Sequence, residues 1–390
     1  MNGESGGSVK TMRRNPVLDL LGGNPVTRVQ DLARGMRDRG VPLIDFSIGD
    51  PREPTPPFIA EALRGAVPEI SQYPTTKGLP RLREAIAGYV LRRFGVEVDP
   101  ATQVLPTTGS KEGIFSTPLA FVDRGAGDAV VWATPGYSIY ERGALFAGAR
   151  GVAVPLHGDL VFRPGDVPEA DWEDARIVWI CSPHNPTGVV MSSDVITGFL
   201  DRCRSVGALL CADECYADLY EDDPPASVLQ VAGSGASGVL SYLSLSKRSG
   251  MTGYRAGAIV GDPEAIAALT MLRTATGTAA PEYTQAAAIA AWSDDAHADE
   301  RRRIFTAKRR VLREAFVAAG LDVVGSEAGL YIWLGVDDDL KAAEQLLVEG
   351  IVVSPGRAFG QGGEGYVRLA LVPTLEECEE AAAAVVRVLG

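Results

Sequence analysis

The chain has 390 residues, of which 46% are apolar, and a formal net charge of −13. That length buries a full core over two or three domains, and the acidity excludes nucleic acid and anionic membrane as main partners, because both demand a basic surface. Short, broken apolar runs predict no membrane-spanning helix, and the start MNGESGGSVK lacks the apolar stretch of a signal peptide, so a cytoplasmic protein is expected.

Residues 1 to about 30 combine Gly, Ser and Pro without sustained periodicity, which predicts a loose tail and then an arm laid on another surface. The first firm strand is LIDFSI, ending in Gly49, Asp50 and Pro51. Prolines start a helix over PPFIAEALRGAV. In the next segment, QYPTTKGLPRLREAIAGYVLRRFG, Leu82, Ile86 and Tyr89 or Val90 share a helical face.

From about 100 to 260 strands and helices alternate. The strands are QVLPT, DAVVWA, GVAVPL, RIVWICS, ALLCADE, VLSYLSLS and AGAIVG; helical patterns include KEGIFSTPLAFV, YSIYERGALFAG and SSDVITGFLDRCRSVG. The alternation predicts an α/β fold with a mostly parallel, twisted sheet between helices. Ligands in such sheets gather at the carboxyl ends of strands. Five strand ends carry unusual groups there: Gly109, Ser110 and Lys111 after the first, Gly136 and Tyr137 after the second, Asn185 after RIVWICS, Asp213 and Tyr216 after ALLCADE, and Lys247 closing VLSYLSLS.

Beyond 262 the chain becomes Ala-rich helix through about 320, and its charge run SDDAHADERRRIFTAKRRVLREAF reads as a solvated face. The remainder, with the loop GQGGEG and the strand YVRLALV, reads as a smaller α+β domain joined by the N-terminal segment. The expected division is residues 1–55 as arm and part of the small domain, 56–290 as the large domain, and 291–390 as the small domain. Five cysteines form no disulfide framework, and Cys203, Cys211 and Cys215 have no histidine close in sequence, so buried thiols rather than a metal site are expected.

The stretch Ser241 to Gly257 concentrates the chemistry. A lysine closing a buried strand is costly to desolvate and tends to lose its proton, which suits a nucleophilic amine. Arg255 follows between Gly253 and Gly257, and with Ser244 and Ser246 it suggests an aldehyde cofactor carrying a phosphate.

The motifs IGDP, YPTTKGLPRLREAIAGY, GSKEGI, PGY, NPTG, DECY, SLSKRSGMTGYRAG and YVRLAL, in that order from about Leu43 onward, resemble the class I and II pyridoxal-phosphate (PLP) aminotransferases of fold type I. The resemblance implies a large PLP-binding domain and a smaller α+β domain. It implies that Lys247 forms the Schiff base with PLP and then shuttles the substrate α-proton. It places Asp213 at the pyridine nitrogen, Asn185 and Tyr216 at the ring hydroxyl, and Tyr137 on the ring face. Gly109, Ser110, Lys111, Ser244, Ser246 and Arg255 surround the phosphate, and Tyr73 reaches the phosphate of a neighbouring subunit, which implies a homodimer with shared active sites. Arg368, with Gly49 and Asn185, takes the substrate α-carboxylate.

Within the family, GSKEGI, LSKRS, PGYSIYERGALFAGA and AAIAAWSDDAH most resemble the succinyl-diaminopimelate aminotransferases of lysine biosynthesis. That resemblance implies the glutamate/2-oxoglutarate pair and N-succinyl-2-amino-6-oxopimelate, with Arg52, Lys77 and Arg273 as possible partners for a distal carboxylate. Aspartate, aromatic and LL-diaminopimelate aminotransferases and PLP-dependent C–S lyases are rivals. A nucleotide-binding dehydrogenase would need GxGxxG after its first strand and leaves Lys247 unexplained. A non-catalytic fold type I binding domain would not need an intact Lys247 and Asp213.

Overall fold

The computed structural model describes residues 12–21 and 27–390; residues 1–11 and 22–26, part of the expected tail, lie outside the described residues. Strand formation begins with β1 (Ile44–Asp45), followed by β2 (Val104–Thr107), β3 (Ala129–Thr134), β4 (Arg150–Pro155), β5 (Ala175–Cys181), β6 (Leu209–Asp213), β7 (Val239–Ser244) and β8 (Gly257–Gly261). Five short strands follow: β9 (Val323–Val324), β10 (Tyr331–Gly335), β11 (Ile351–Val352), β12 (Ser354–Pro355) and β13 (Tyr366–Ala370).

All seven strands read between 100 and 260 are present and form one sheet in the order β2-β8-β7-β6-β5-β3-β4. Only β8 runs antiparallel to its neighbours. The inner strands are buried along their length, as a sheet covered on both faces requires. Successive side chains go to opposite faces. Val131, Val178, Leu210 and Val239 join one core, while Val130, Ile177, Trp179 and Tyr242 join the other. The carboxyl ends of β2, β3, β5, β6 and β7 therefore open on a single edge.

A second sheet, β12-β13-β10-β9, is antiparallel and has its own core, which includes Phe316, Ile332, Leu369 and Val385. The segment before residue 50 packs into this second core: β1 pairs with β11, and Val29, Ala33 and Phe46 are buried there.

Three expectations need correction. The stretch to about residue 30, read as aperiodic, holds a helical turn, Val17–Leu20, and the start of a helix, Thr27–Asp38, whose sparse buried stripe, Val29 and Ala33 with Met36 beside it, was too thin to stand out. The strand LIDFSI shrinks to two residues because it pairs only with the short β11. The charge run is not simply a solvated face: on helix Ala296–Ala318, Arg301, Lys308 and Arg309 are buried. Glu53 pairs with both Arg301 and Lys308, and Arg309 donates to the Gly329 carbonyl while burial lowers its guanidinium pKa to about 10. All five cysteines are free thiols, four of them buried. Among the described residues no helix is long and apolar enough to cross a membrane.

Candidate active site

β7 stops at Ser244 rather than running on to Lys247, because the Ser244 hydroxyl caps a new helical turn, Leu245–Arg248, by accepting the Ser246 N–H at 3.1 Å. Lys247 is thus presented by a helical turn beyond the strand. It points into a cavity of about 370 Å³ on the edge where the five strand ends meet. Twelve residues expected at the site line that cavity: Gly49, Ser110, Lys111, Tyr137, Asn185, Asp213, Tyr216, Ser244, Ser246, Lys247, Arg255 and Arg368. The amine of Lys247 donates to the Gly49 carbonyl, and its pKa is lowered to about 8, first by burial and then by Arg368 and Arg255, against Asp50 and Cys215.

At one end the N-terminus of helix Ser110–Phe121 faces the cavity. Gly109 precedes it at φ +88°, and a Cβ there would overlap the Arg255 guanidinium. Gly257 has the same role from β8: its Cβ would stand 3.1 Å from the Ser110 nitrogen. Only glycine leaves this backbone bare enough for an anion at the helix end. Arg255 occupies the left-handed region at φ +53° and is steadied by donation to the Thr252 carbonyl at 2.9 Å. Lys111 is exposed at the mouth.

At the middle stands Asp213, the last residue of β6 and 4% exposed. It accepts hydrogen bonds from the Tyr140 hydroxyl (3.0 Å) and the Cys215 N–H (3.2 Å), neither of which carries positive charge. Burial pushes its carboxyl pKa up against those bonds. A carboxylate in that setting is relieved by an adjacent cation.

At the far end Arg368, 7% exposed on β13, donates through Nη1 to Asn185 Oδ1 (3.1 Å) and through Nη2 to the Ser47 carbonyl (2.9 Å). Its Nε is buried without a partner, which fits a carboxylate still to be received. The rings of Tyr331 and Phe359 lie 4.2 and 4.4 Å from its Cζ.

A glycine cradle at a helix end, a buried uncompensated carboxylate, a lysine of lowered pKa and a half-used arginine together fit a phosphorylated, ring-nitrogen-bearing aldehyde and a carboxylate substrate. They define a PLP enzyme that handles amino acids. The chain belongs to the family Aminotransferase class I and II, which matches residues 41–385. It is 41% identical over 345 residues to the 4-dedimethylamino-4-oxo-anhydrotetracycline transaminase OxyQ of Streptomyces rimosus, covering 87% of this chain and 92% of that protein. It is 36% identical over 355 residues to the LL-diaminopimelate aminotransferase of Aquifex aeolicus, covering 88% and 91%. The structure of a probable N-succinyldiaminopimelate aminotransferase from Thermus thermophilus superposes with a TM-score of 0.87 at 30% identity, covering 93% of this chain and 99% of that one. The chain has the fold type I aminotransferase architecture, and it is a PLP-dependent transaminase.

Two expected site residues do not line the cavity. Gly109 is not part of the lining, and a Cβ there would meet the Arg255 guanidinium. Tyr73 is wholly exposed on the single chain. Of the distal-carboxylate candidates, none lines the cavity. Arg273 is corrected outright, being 2% exposed and ion-paired with Glu112. Arg52 lies 3.6 Å from Glu377. Sequence reasoning missed Tyr140, Cys215, Tyr331 and Phe359. Tyr140 was findable, three residues after Tyr137 in PGYSIY and held flat on Trp179 at 5.1 Å. Tyr331 sits in the apolar run GLYIWLGV, where an aromatic ordinarily means packing.

Proposed function

We propose that the protein moves an amino group between glutamate and an oxo acid, with N-succinyl-2-amino-6-oxopimelate as the leading acceptor. The observation that carries the amino-acid chemistry is that one cavity holds both a lysine whose pKa burial lowers to about 8 and an arginine with an unpaired, buried Nε, and the choice of acceptor is supported by the likeness to the probable N-succinyldiaminopimelate aminotransferase of Thermus thermophilus. An α-amino acid needs one group of each kind.

Bound there, PLP supplies an aldehyde for amine exchange and a ring that draws electrons from the substrate α-carbon. The residues do the rest. Lys247 Nζ, neutral above about pH 8, holds the cofactor and then takes and returns the α-proton. Asp213 would keep a proton on the cofactor's ring nitrogen, and Tyr140 and the Cys215 N–H orient that carboxylate. Asn185 and Tyr216 would hydrogen-bond the ring oxygen of the bound cofactor, and Tyr137 would pack on its ring. Gly109, Ser110, Lys111, Ser244, Ser246 and Arg255 hold the phosphate. Arg368 forks onto the substrate carboxylate beside Gly49. Tyr73, fully exposed on one chain, would complete the phosphate site of a second copy, which makes the working unit a homodimer. The division at residues 55 and 290 is supported in outline by the two cores, with Phe46 joined to the second, while Ala291, Trp292 and Trp333 pack in the first and Tyr216 and Leu219 in the second.

A ketone acceptor without a distal acid is the second reading. It is favoured by the similarity to OxyQ and by the cavity wall, where Lys111, Lys247, Arg255 and Arg368 are the only cations among the described residues. Once phosphate and α-carboxylate are held, none of these is left on one chain for a second carboxylate, so a cation for the glutamate side chain has to come from the second copy. Purified holoprotein with glutamate is expected to form 2-oxoglutarate when the acceptor is supplied, and acceptors with and without a distal carboxylate decide between the readings. No turnover of glutamate with any acceptor overturns the donor assignment. Lys247→Ala is expected to lose the yellow cofactor linkage entirely.

A further inference from the structure

Tyr331 has no role in the assignments above, yet it touches several of the residues that do. It lies on β10, antiparallel to the strand that carries Arg368, and is 3% exposed. Its ring face lies 4.2 Å from the Arg368 guanidinium carbon. Its hydroxyl lies 2.8 Å from that of Tyr216. A Cβ on Gly49 would stand 2.8 Å from the same hydroxyl oxygen, so glycine at 49 is what leaves it room, and the Gly49 carbonyl accepts from Lys247.

The direction of the hydroxyl pair follows from counting protons. Each phenol has one proton to give. If Tyr216 spends its proton on the ring oxygen of the cofactor, the proton between the two phenols belongs to Tyr331. A phenol that receives such a bond is a better donor in turn, because hydrogen-bond chains polarise one another. Packing alone asks only for a ring at 331, which phenylalanine supplies.

We propose that Tyr331 is a positioning residue: it donates to the Tyr216 hydroxyl and aims it at the cofactor, while its ring face holds Arg368 for the substrate carboxylate. This rests on the assignment of Tyr216 and Arg368 above. Asp213, Cys215, Cys181 and Arg368 are the other titratable groups that influence the pair, and both phenols are kept protonated by burial.

The test is the pH midpoint of the cofactor's visible absorbance in the holoprotein, read beside the KM for glutamate. Stabilising the ring oxygen as an anion lowers the proton affinity of the linkage to Lys247, so weakening Tyr216 raises the midpoint. Tyr331→Phe is expected to raise it by about 0.4–1 pH unit, the scale of one hydrogen bond, and to leave KM within about twofold. Tyr331→Leu, which also loses the ring, is expected to raise KM about five- to tenfold. Tyr216→Phe/Tyr331→Phe is expected to match Tyr216→Phe alone, since the second hydroxyl acts through the first. A wild-type midpoint in Tyr331→Phe, or additive shifts in the double variant, overturns the proposal. A Tyr216→Phe midpoint equal to wild type overturns the Tyr216 assignment and this proposal with it, while a wild-type protein without the band overturns the assignment of the cofactor site itself. Should Tyr331→Phe not fold, 3-fluorotyrosine at 331 keeps the shape and donates more strongly. It is expected to lower the midpoint, and no change counts against the proposal.

Discussion

The two ends of the cavity are built in different ways. The phosphate end is made of short contiguous stretches, Gly109 to Lys111 and Ser244 to Arg255, whose main task is to keep backbone N–H groups clear and to bring one guanidinium over them. The carboxylate end is assembled from Gly49, Asn185, Tyr331, Phe359 and Arg368, which are far apart in the chain and meet only because β1, β10 and β13 close against the large sheet's edge. Arg255 is exposed and bound to a local carbonyl, whereas Arg368 is buried with one nitrogen unpaired. An exposed cation gives affinity spread over several donors; a buried fork concentrates recognition in one residue.

The largest expected effect follows from that concentration. Arg368→Ala is expected to lower kcat/KM for glutamate by roughly 10²–10³-fold, the cost of removing a buried charged partner, while cofactor affinity stays within about threefold. Steady-state kinetics beside a cofactor titration separate the two quantities. A comparable loss of cofactor affinity would mean that the ends are not independent. Arg255→Gln is expected to show the mirror image, with PLP bound roughly 10–50-fold more weakly because the neutral amide cannot replace a charged fork, and KM for glutamate little changed.

Much of this division was legible in the sequence, and unevenly. All seven central strands could be read because continuous apolar runs such as RIVWIC and VLSYLS have no other use in an alternating chain. The phosphate end was legible because its glycines, serines and arginine fall in two short stretches, Gly109 to Lys111 and Ser244 to Gly257, each closing a readable strand. At the carboxylate end Arg368 stands out as a charge in an otherwise apolar strand, and Gly49 and Asn185 were named with it through the family resemblance. Tyr331 and Phe359 look like ordinary core residues until the fold places them on either strand or turn beside that charge. Two of the buried cations of helix Ala296–Ala318, Arg301 and Lys308, escaped for a related reason, since their partner Glu53 lies some 250 residues away and no local pattern announces it.

Lys247 lies under the influence of both ends, since both Arg368 and Arg255 help to lower its pKa to about 8. Apoprotein is therefore expected to take up PLP with a rate that rises about tenfold per unit as pH approaches 8 from below and then levels, because only the neutral amine attacks the aldehyde. A lysine with its ordinary pKa would keep gaining rate past pH 10. Removing either arginine takes away a nearby positive charge, so the levelling point is expected to move upward in both variants, and further in Arg368→Ala, whose charge contributes more. Stopped-flow absorbance against pH reads the shift directly.

The smallest expected effect tests whether the phosphate end is truly shared among donors. Ser246→Ala removes a hydroxyl that lines the cavity but leaves the Ser244 cap, and so the helical turn that presents Lys247, in place. A bond from one neutral hydroxyl to the phosphate anion, shared with several other donors, is worth about 1.5 kcal/mol, the low end for a charged acceptor, so PLP affinity is expected to fall only about tenfold, with no change in KM for glutamate. Gly109→Ala is the control from the same end. A Cβ there meets the Arg255 guanidinium at φ +88°, so it disturbs backbone and arginine together and is expected to exceed Ser246→Ala. If Ser246→Ala instead costs as much as Arg255→Gln, recognition at this end is concentrated in one group after all, and the contrast with Arg368 disappears.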